Sequence, residues 1–302
     1  MTHRYKMIIV ILFISISPTI AFGESVSVVL SKNLSLYRDI VDVFKKTLDR
    51  EFVVYDMEGD PERGKEIAKE ISQDHPDIII AVGSSAARMA ENEIDDSIPV
   101  VFCMVVDPNS AGIGNASHST GVTLSVPINV QFATMKAVLP HVKTIGALYD
   151  SSASEHMILN AKKAAKIQDL DIIPIPVTAD EDVLEAFMTL ASDADVLWIF
   201  PDPTVLRKGD LLVMLAKERN LPVFAPSRKM AKMGALMAVV ANYLDSGRQA
   251  ADLANKILSG VSLSSLPFES PVSLTLIINR EMAEKLNIRE SPDIYGITVE
   301  YE

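Results

Sequence analysis

The stretch DIIIAVGSSA (residues 77–86) contains the pattern that decides the fold class. Its unbroken apolar run predicts a short strand buried on both faces, and the Gly-Ser-Ser that follows is typical of a tight turn into a helix. A second stretch, DVLWIFP (residues 195–201), repeats the pattern, and after each one comes a helical segment and then a strand beginning with Pro-Val. Such alternation indicates parallel sheets that are covered by helices on both faces.

The same alternation extends outward along the chain in both directions. Strands are expected at 26–30, 52–55, 77–82, 99–105 and 121–124, and again at 144–149, 172–177, 195–200, 223–225 and 235–241. Helices are expected between them. We therefore predict an α/β fold with two doubly wound, Rossmann-like lobes, each built on a parallel sheet of five strands. Ligands of such sheets bind outside the carboxyl ends of the strands, so the two lobes should enclose a cleft.

A helix expected at 243–258 follows the tenth strand and has no strand partner of its own in the second half. We place it on the first lobe, so that the chain crosses between lobes near residue 124, near residue 242 and at 268–271. The expected first lobe is then 24–123 plus 243–269, and the expected second lobe is 124–242 plus 270–302.

Residues 1–23 differ in kind from the rest of the chain. A basic start at residues 1–6 precedes an almost unbroken apolar run at 7–16, and the sequence AFG at 21–23 places small residues where a signal peptidase cleaves. The apolar run is shorter than the ~20 residues that span a bilayer, so we predict a cleaved signal peptide rather than an anchor. Because no cysteine lies near the cleavage point, we expect a periplasmic protein without a lipid anchor.

The composition argues against several classes of function. The 302 residues include 28 basic and 40 acidic side chains, and the net charge of −12 disfavours binding to nucleic acid. Cys103 is the single cysteine and the five histidines are dispersed, so we expect no metal site and no cofactor. Dinucleotide, phosphate-loop, serine-hydrolase and zinc-protease motifs are missing from the sequence. We therefore expect no enzymatic activity.

Several short motifs between residues 98 and 288 occur in a characteristic order. They are PVVF (99–102), DPNSAG (107–112), TGVT (120–123), GALYD (146–150), PVFA (222–225), GAL (234–236), GRQ (247–249) and LIIN (276–279). In this order the stretch resembles the bacterial ABC-transporter substrate-binding proteins of the tryptophan/tyrosine-uptake type. The resemblance implies a type I periplasmic-binding-protein fold, in which a three-crossover hinge joins the two lobes.

The strand ends supply the candidate ligand-binding residues. The helix that opens at Ser84 presents backbone N–H groups that favour an anion such as a ligand carboxylate. The resemblance implies a turn that embraces the ligand after Tyr149, and an acid at Asp202 that holds an ammonium group. The complete set of expected ligand-binding residues is Ser84, Ser85, Ala86, Asp107, Tyr149, Ser151, Ser152, Ser154, Asp202, Ser227 and Asn242.

Structural alternatives exist for several of these residues. Ser84 or Ser85 is expected to cap the helix that follows, whether or not it contacts a ligand, and Asp202 can equally cap the segment after it. Asp107 is expected to turn the chain rather than to line the cleft. Trp198 lies within a buried run and is expected in the core rather than against a ligand.

Three positions depart from the family pattern and bear on the ligand. Ser227-Arg228 stands where relatives often have an acidic pair, Asn242 stands where Asp is common, and Pro203 replaces an amide-bearing residue. Relative to the family pattern, these positions have fewer acidic residues and one additional basic residue, Arg228. A cleft that these positions face should therefore favour a less cationic or more anionic ligand.

These observations predict a periplasmic solute-binding protein of an ABC-type uptake system. We expect a monomer that closes its lobes on a small organic ligand, an amino acid or a similar carboxylate, and delivers this ligand to a membrane permease. The alternative is a ligand-sensing protein that reports to a membrane sensor kinase or receptor. Both readings require the same cleft, and the sequence leaves both open.

Overall fold

The computed structural model describes residues 25–48, 50–114, 118–288 and 296–302, so the expected signal peptide lies outside the described residues. The first sheet contains β1 (Val26–Leu30), β2 (Phe52–Asp56), β3 (Ile78–Val82), β4 (Val100–Val105) and β5 (Ser119–Thr123). Its strands lie in the order β2-β1-β3-β4-β5, and all neighbours are parallel. The doubly wound first lobe expected from the sequence is present.

The second sheet is larger than the sequence predicts. It contains β6 (Thr144–Asp150), β7 (Asp171–Val177), β8 (Val196–Trp198), β9 (Val223–Ala225), β10 (Met237–Ala241), β11 (Leu274–Ile278) and β12 (Ile297–Tyr301). The order is β12-β11-β10-β9-β8-β6-β7, and only the β10–β11 neighbours are antiparallel. The expectation of five strands was wrong because β11 reverses direction, so it lies outside the strand–helix–parallel-strand alternation on which the expectation rested. An α/β fold with two mainly parallel sheets is confirmed.

Helices cover both faces of each sheet. They are α1 (Ser35–Thr47), α2 (Pro61–Asp74), α3 (Ser84–Glu93), α4 (Pro108–Ala111), α5 (Ile128–Val138), α6 (Ser151–Ile167), α7 (Asp182–Leu190), α8 (Pro203–Leu206), α9 (Gly209–Glu218), α10 (Arg228–Met233), α11 (Tyr243–Leu258) and α12 (Arg280–Lys285). Among these helices of the described ranges, none is long and apolar enough to cross a membrane.

The first sheet separates two apolar cores. On one face, Ile40 and Phe44 of α1 pack with Ala250 and Ala254 of α11, and on the other face the side chains of α2 and α3 pack against the sheet. The spacing of three to four residues between the apolar positions of α1 and α11 places each set on one side of its helix. Although α11 follows β10 of the second sheet, it thus returns to the first sheet.

The segments that cross between the sheets are hydrogen-bonded to one another. Glu269 forms a bridge with Val122 at the end of β5, where the amide of Thr123 donates to the Glu269 carbonyl at 2.9 Å. The amide of Asn242 donates to the carbonyl of Ser273 at 2.9 Å. The first and third crossings, and the second and third, are therefore linked through their main chains. The exact division of the residues between the lobes stays a prediction.

Cys103 lies on β4 with no exposed surface, in the core between the first sheet and helices α1 and α11. Burial raises the pKa of its thiol from 9.0 to about 12, so the reactive thiolate is scarce in the folded protein. We expect Ellman's reagent to leave the folded protein unmodified at neutral pH and to titrate one thiol after unfolding in guanidinium. Rapid modification of the folded protein would contradict this placement of β4.

Candidate functional site

A cavity of about 250 Å³ lies between the two sheets. Its described lining comes from strands of both sheets and the loops that follow them, from the first crossing segment, and from the helices α1, α5, α6 and α11. The lining residues are Leu36, Met104, Val106, Leu124, Ser125, Val126, Gln131, Met157, Pro201, Pro226, Val239, Val240, Ala241 and Tyr243. The position agrees with the general rule that parallel α/β sheets bind ligands beyond the carboxyl ends of their strands.

A larger cavity of about 380 Å³ lies beside α12 and β12. Its described lining comes from one edge of the second sheet and includes Arg280, whose guanidinium lies 5.0 Å from the centre of the Tyr301 ring. This cavity does not involve the first sheet. The interlobe cavity is therefore the better candidate for a ligand site that both lobes share.

The main chain at Met104 gives the cavity wall an irregular shape. Met104 has a φ of 60°, and the register between β4 and β5 shifts between Phe102 and Val105. A left-handed conformation is uncommon for a residue with a side chain, and such strain occurs most often at functional sites. Sequence reasoning missed Met104, because a methionine within an apolar strand carries no signal of its main-chain conformation.

Gln131 is the polar side chain whose position in the cavity wall is most firmly fixed. Its amide nitrogen donates to the carbonyl of Val126 at 2.8 Å, and its amide oxygen accepts from the indole N–H of Trp198 at 2.9 Å. Trp198 is fully buried and its ring packs edge-on against Phe132 at 5.0 Å, so the expectation of a core tryptophan is confirmed. Gln131 therefore joins the first crossing segment to the core of the second lobe.

The start of α3 differs from the sequence prediction. Neither Ser84 nor Ser85 caps this helix, since the N-cap residue is Gly83 and it provides no side-chain bond. Instead the hydroxyl of Ser31, in the loop after β1, accepts from the amide of Ala86 at 2.9 Å. The capping expectation was wrong because a residue from another loop occupies the position of the cap. Ser85 lines a groove between α2 and α3 rather than the interlobe cavity.

The corresponding turn in the second lobe is organised by Asp150, the N-cap of α6. One carboxylate oxygen accepts from the amide and the hydroxyl of Ser152, at 2.9 and 2.6 Å, and the other accepts from the hydroxyl of Thr204 at 2.7 Å. These bonds, led by the Ser152 hydroxyl, lower the pKa of Asp150. Ser151 and Ser152 are exposed, whereas Ser154 is buried.

Tyr149 belongs to the core of the second lobe, beside the turn at Asp150. The residue is 8% exposed and packs within the apolar cluster that contains Trp198. Burial, together with a hydrogen bond to Glu155, raises the pKa of the Tyr149 hydroxyl.

Asp202 is fully buried, and both of its carboxylate oxygens are engaged by the main chain. One accepts from the amide of Val205 at 2.9 Å, which makes Asp202 the N-cap of α8. The other accepts from the amide of Asp150 at 2.8 Å and so connects the turn after β8 with the turn after β6. The structural alternative, a helix cap, is confirmed, while contact with a ligand ammonium group stays a prediction.

The remaining candidates also lie at helix starts. Ser227 caps α10 by accepting from the amide of Met230 at 3.3 Å, and Asn242 caps α11 by accepting from the amides of Leu244 and Asp245. Asp107 accepts from the amide of Asn109 at 3.0 Å, at the start of α4. Each of these three candidates therefore stabilises the start of a helix.

Arg228, the basic residue that departs from the family pattern, forms ion pairs with two acids of the second lobe. Its guanidinium lies 2.7 Å from a carboxylate oxygen of both Glu300 and Glu302, at the edge strand β12. Hydrogen bonds to these two acids raise the pKa of Arg228. Its positive charge is directed at β12 and is not part of the described lining of the interlobe cavity.

The candidate residues expected at the strand ends lie beside the cavity rather than on its described wall. Asp107, Asp202, Ser227 and Asn242 each directly follow or precede a lining residue along the chain. Their contact with a ligand, like that of the serines at the starts of α3 and α6, stays a prediction. The lining residues themselves are mostly apolar, and apolar residues at strand ends cannot be distinguished from core residues in a sequence.

Three comparisons with known proteins bear on this site. Residues 44–298 match the family model described as ABC transporter substrate binding protein. The tyrosine-binding protein of Clostridioides difficile (strain R20291) is 25% identical over 231 residues, which cover 74% of this chain and 67% of that protein.

Solved structures of similar fold are also known. The ligand-free, open structure of a substrate binding protein with adhesive properties from Clostridium difficile superposes with a TM-score of 0.77 at 23% identity, covering 92% of this chain and 99% of that one. A Streptococcus pneumonia ABC domain in complex with L-Trp gives a TM-score of 0.63 at 21% identity, covering 91% and 100%. The fold is thus the type I periplasmic-binding-protein fold that the resemblance implied. Because the family model matches most of its length, the chain belongs to the ABC transporter substrate binding protein family.

Proposed function

We propose that this chain is the extracytoplasmic solute-binding component of an ABC-type uptake system. It binds a small organic ligand, an amino acid or a similar carboxylate, in the interlobe cavity and presents it to a membrane permease. The observation that supports this proposal best is that both sheets contribute to the wall of one cavity. Met104 of the first sheet and Val239 of the second line the same space. Export would depend on the expected signal peptide at 1–23.

The shape and chemistry of the cavity support a ligand with an apolar side chain. Methionine side chains such as those of Met104 and Met157 adapt to irregular ligand surfaces, and the other lining residues are largely aliphatic. An aromatic ring suits such a wall. The relative named for tyrosine binding and the solved structure with L-Trp bind ligands of this kind.

Ligand binding is proposed to close the two lobes by a hinge movement. A ligand that touches both lobes interacts more strongly with the closed state than with the open state, so it shifts the equilibrium between them. The segments that cross near 124, 242 and 268–271 form the hinge, and the lobes are 24–123 plus 243–269 and 124–242 plus 270–302. We propose a monomer, since the site is formed within one chain.

The test is a thermal-shift and calorimetric screen of the chain without residues 1–23. The panel contains aromatic and aliphatic amino acids and the carboxylic acids that result from removal of their amino groups. A ligand at one hundred times its Kd stabilises the native state by about 2.7 kcal/mol, so we expect at least one compound to raise the Tm by several degrees. No response to any compound would contradict the proposal.

Two matched variants test whether the compound that raises the Tm binds in the interlobe cavity. Ala241 lies in the cavity wall, and Ala241→Phe places a ring inside the cavity, so this variant should lose the ligand-induced shift. Ile167 is 73% exposed on α6, and Ile167→Phe adds a ring at the surface. The surface variant should keep the shift, and equal loss in both variants would mean that the ligand binds elsewhere.

A further inference from the structure

The interlobe cavity presents a neutral wall in the described part of the chain. Its polar side chains are those of Ser125, Gln131 and Tyr243, and none of its lining residues is Asp, Glu, Lys, Arg or His; the other lining residues are apolar. An ammonium group that enters such a cavity gives up its hydration and needs an acid as partner. The position of the nearby acids therefore determines which ligands fit.

Four acids lie within two residues of a lining residue along the chain, and each already has a partner within the protein. Asp107 accepts from the amide of Asn109, and the carboxylate of Glu155 lies near the hydroxyl of Tyr149, whose pKa it helps to raise. The third acid, Asp245, holds the guanidinium of Arg248 at 2.7 Å.

The fourth acid is Asp202, and it is the most firmly held of them. Its side chain is fully buried, and its two oxygens accept from the amides of Val205 and Asp150. Because the Asp202 side chain has no exposed surface, a ligand ammonium group in the cavity has no access to its carboxylate unless the surrounding residues move. The neighbouring Asp150 uses its own oxygens for Ser152 and Thr204.

Gln131 favours a ligand oxygen over a ligand ammonium group. One lone pair of its amide oxygen accepts from the indole of Trp198, and this neutral oxygen carries no formal charge that would offset the charge of a buried ammonium group. The amide nitrogen has two hydrogens, one of which goes to the carbonyl of Val126, so a second donor exists for a ligand carbonyl, carboxylate or hydroxyl.

We infer that the interlobe cavity selects ligands without an ammonium group, namely small aromatic or aliphatic carboxylic acids and their amides, over the corresponding amino acids and amines. This inference rests on the proposed function and specifies its ligand class. The apolar wall holds the ring or aliphatic chain, and the neutral donors hold the oxygen end. An amine would leave a buried cation without a partner.

Calorimetric titration of the full mature chain with four compounds that share one ring tests the inference. The compounds are L-tyrosine, its desamino acid 3-(4-hydroxyphenyl)propionate, the amide of that acid, and tyramine. We expect the desamino acid and its amide to bind at least about tenfold more tightly than L-tyrosine, and tyramine to give no binding. L-tyrosine binding as tightly as the desamino acid, or more tightly, would overturn the inference and leave the proposed function standing. No binding by any of the four would overturn the inference, whereas the proposed function would still be decided by the wider panel of the thermal-shift screen.

A pair of variants at Ser125 tests the role of the neutral wall directly. Ser125→Asp adds a carboxylate to the cavity, whereas Ser125→Asn adds a neutral group of the same size. We expect Ser125→Asp to gain measurable binding of tyramine and to weaken the desamino acid at least about tenfold, while Ser125→Asn keeps the original ranking. Identical rankings in both variants would overturn the inference.

Discussion

Replacement of Asp202 by alanine is expected to lower the free energy of unfolding by about 2–4 kcal/mol. The loss of the N-cap of α8 contributes about 1 kcal/mol. The amide of Asp150 also loses its acceptor, and an unsatisfied buried N–H costs about 1–3 kcal/mol. Because Trp198 is the single tryptophan and lies in the same lobe, its fluorescence during denaturant unfolding reports the effect.

The control is Asp210→Ala. Asp210 pairs with Lys229 at the surface, where both side chains are at least half exposed, so its removal should change the stability by less than about 1 kcal/mol. If Asp202→Ala were as mild as Asp210→Ala yet abolished ligand binding, Asp202 would be a ligand contact rather than a structural cap.

A second large effect is expected for Gly83→Ala. Gly83 has a φ of 93°, and an added Cβ would lie 2.6 Å from both the Ser31 hydroxyl and the Tyr37 hydroxyl. Gly83 combines this φ with a ψ of 162°, a region that is essentially restricted to glycine and costs about 1–3 kcal/mol for alanine. The overlap adds about 1–3 kcal/mol because Ser31 cannot retreat without releasing the amide of Ala86. Far-UV circular dichroism during denaturant unfolding measures the total loss, which we expect to be about 2–6 kcal/mol.

Gly260→Ala separates the two contributions. Gly260 has a φ of 89°, but no atom lies within 4 Å of its added Cβ, so this variant reports the cost of a positive φ without steric overlap. Gly83→Ala should therefore be the more destabilising variant by about 1–3 kcal/mol. Equal losses would show that Ser31 and Tyr37 do not crowd Gly83.

Local sequence patterns were sufficient to predict most of the strands and helices of the fold. The bounds of β1 and α11 agree with the sequence expectation to the residue, because apolar runs and the 3.6-residue period depend only on neighbouring positions. The failures are β11 and β12. These strands extend the second sheet at its edge after the chain has reversed direction. Such pairing joins segments that are distant in the sequence, so it cannot be predicted from a local pattern.

The candidate site was only partly predictable, for a related reason. Asp107, Asp202, Ser227 and Asn242 are polar residues at strand ends, which is where ligands of parallel sheets are expected. In the structure each of these side chains accepts a hydrogen bond from an amide at the start of a helix. The described wall of the cavity is instead formed by residues such as Met104 and Val239. Whether a polar side chain faces a helix or a cavity depends on the turn of the chain after the strand.

The sequence by itself determined the alternation of strands and helices, the two-lobed organisation and the family, because periodicity and motif order are properties of consecutive residues. Only the tertiary structure decided which side chains form the cavity wall and which acids are already engaged. The bonds that settle this join residues far apart in the chain, such as Ser31 with Ala86 and Asp202 with Asp150, separated by 55 and 52 positions. Whether a carboxylate near a cleft can reach a ligand depends on how deeply the fold buries it and on which internal donors it already holds, and both are decided only in three dimensions.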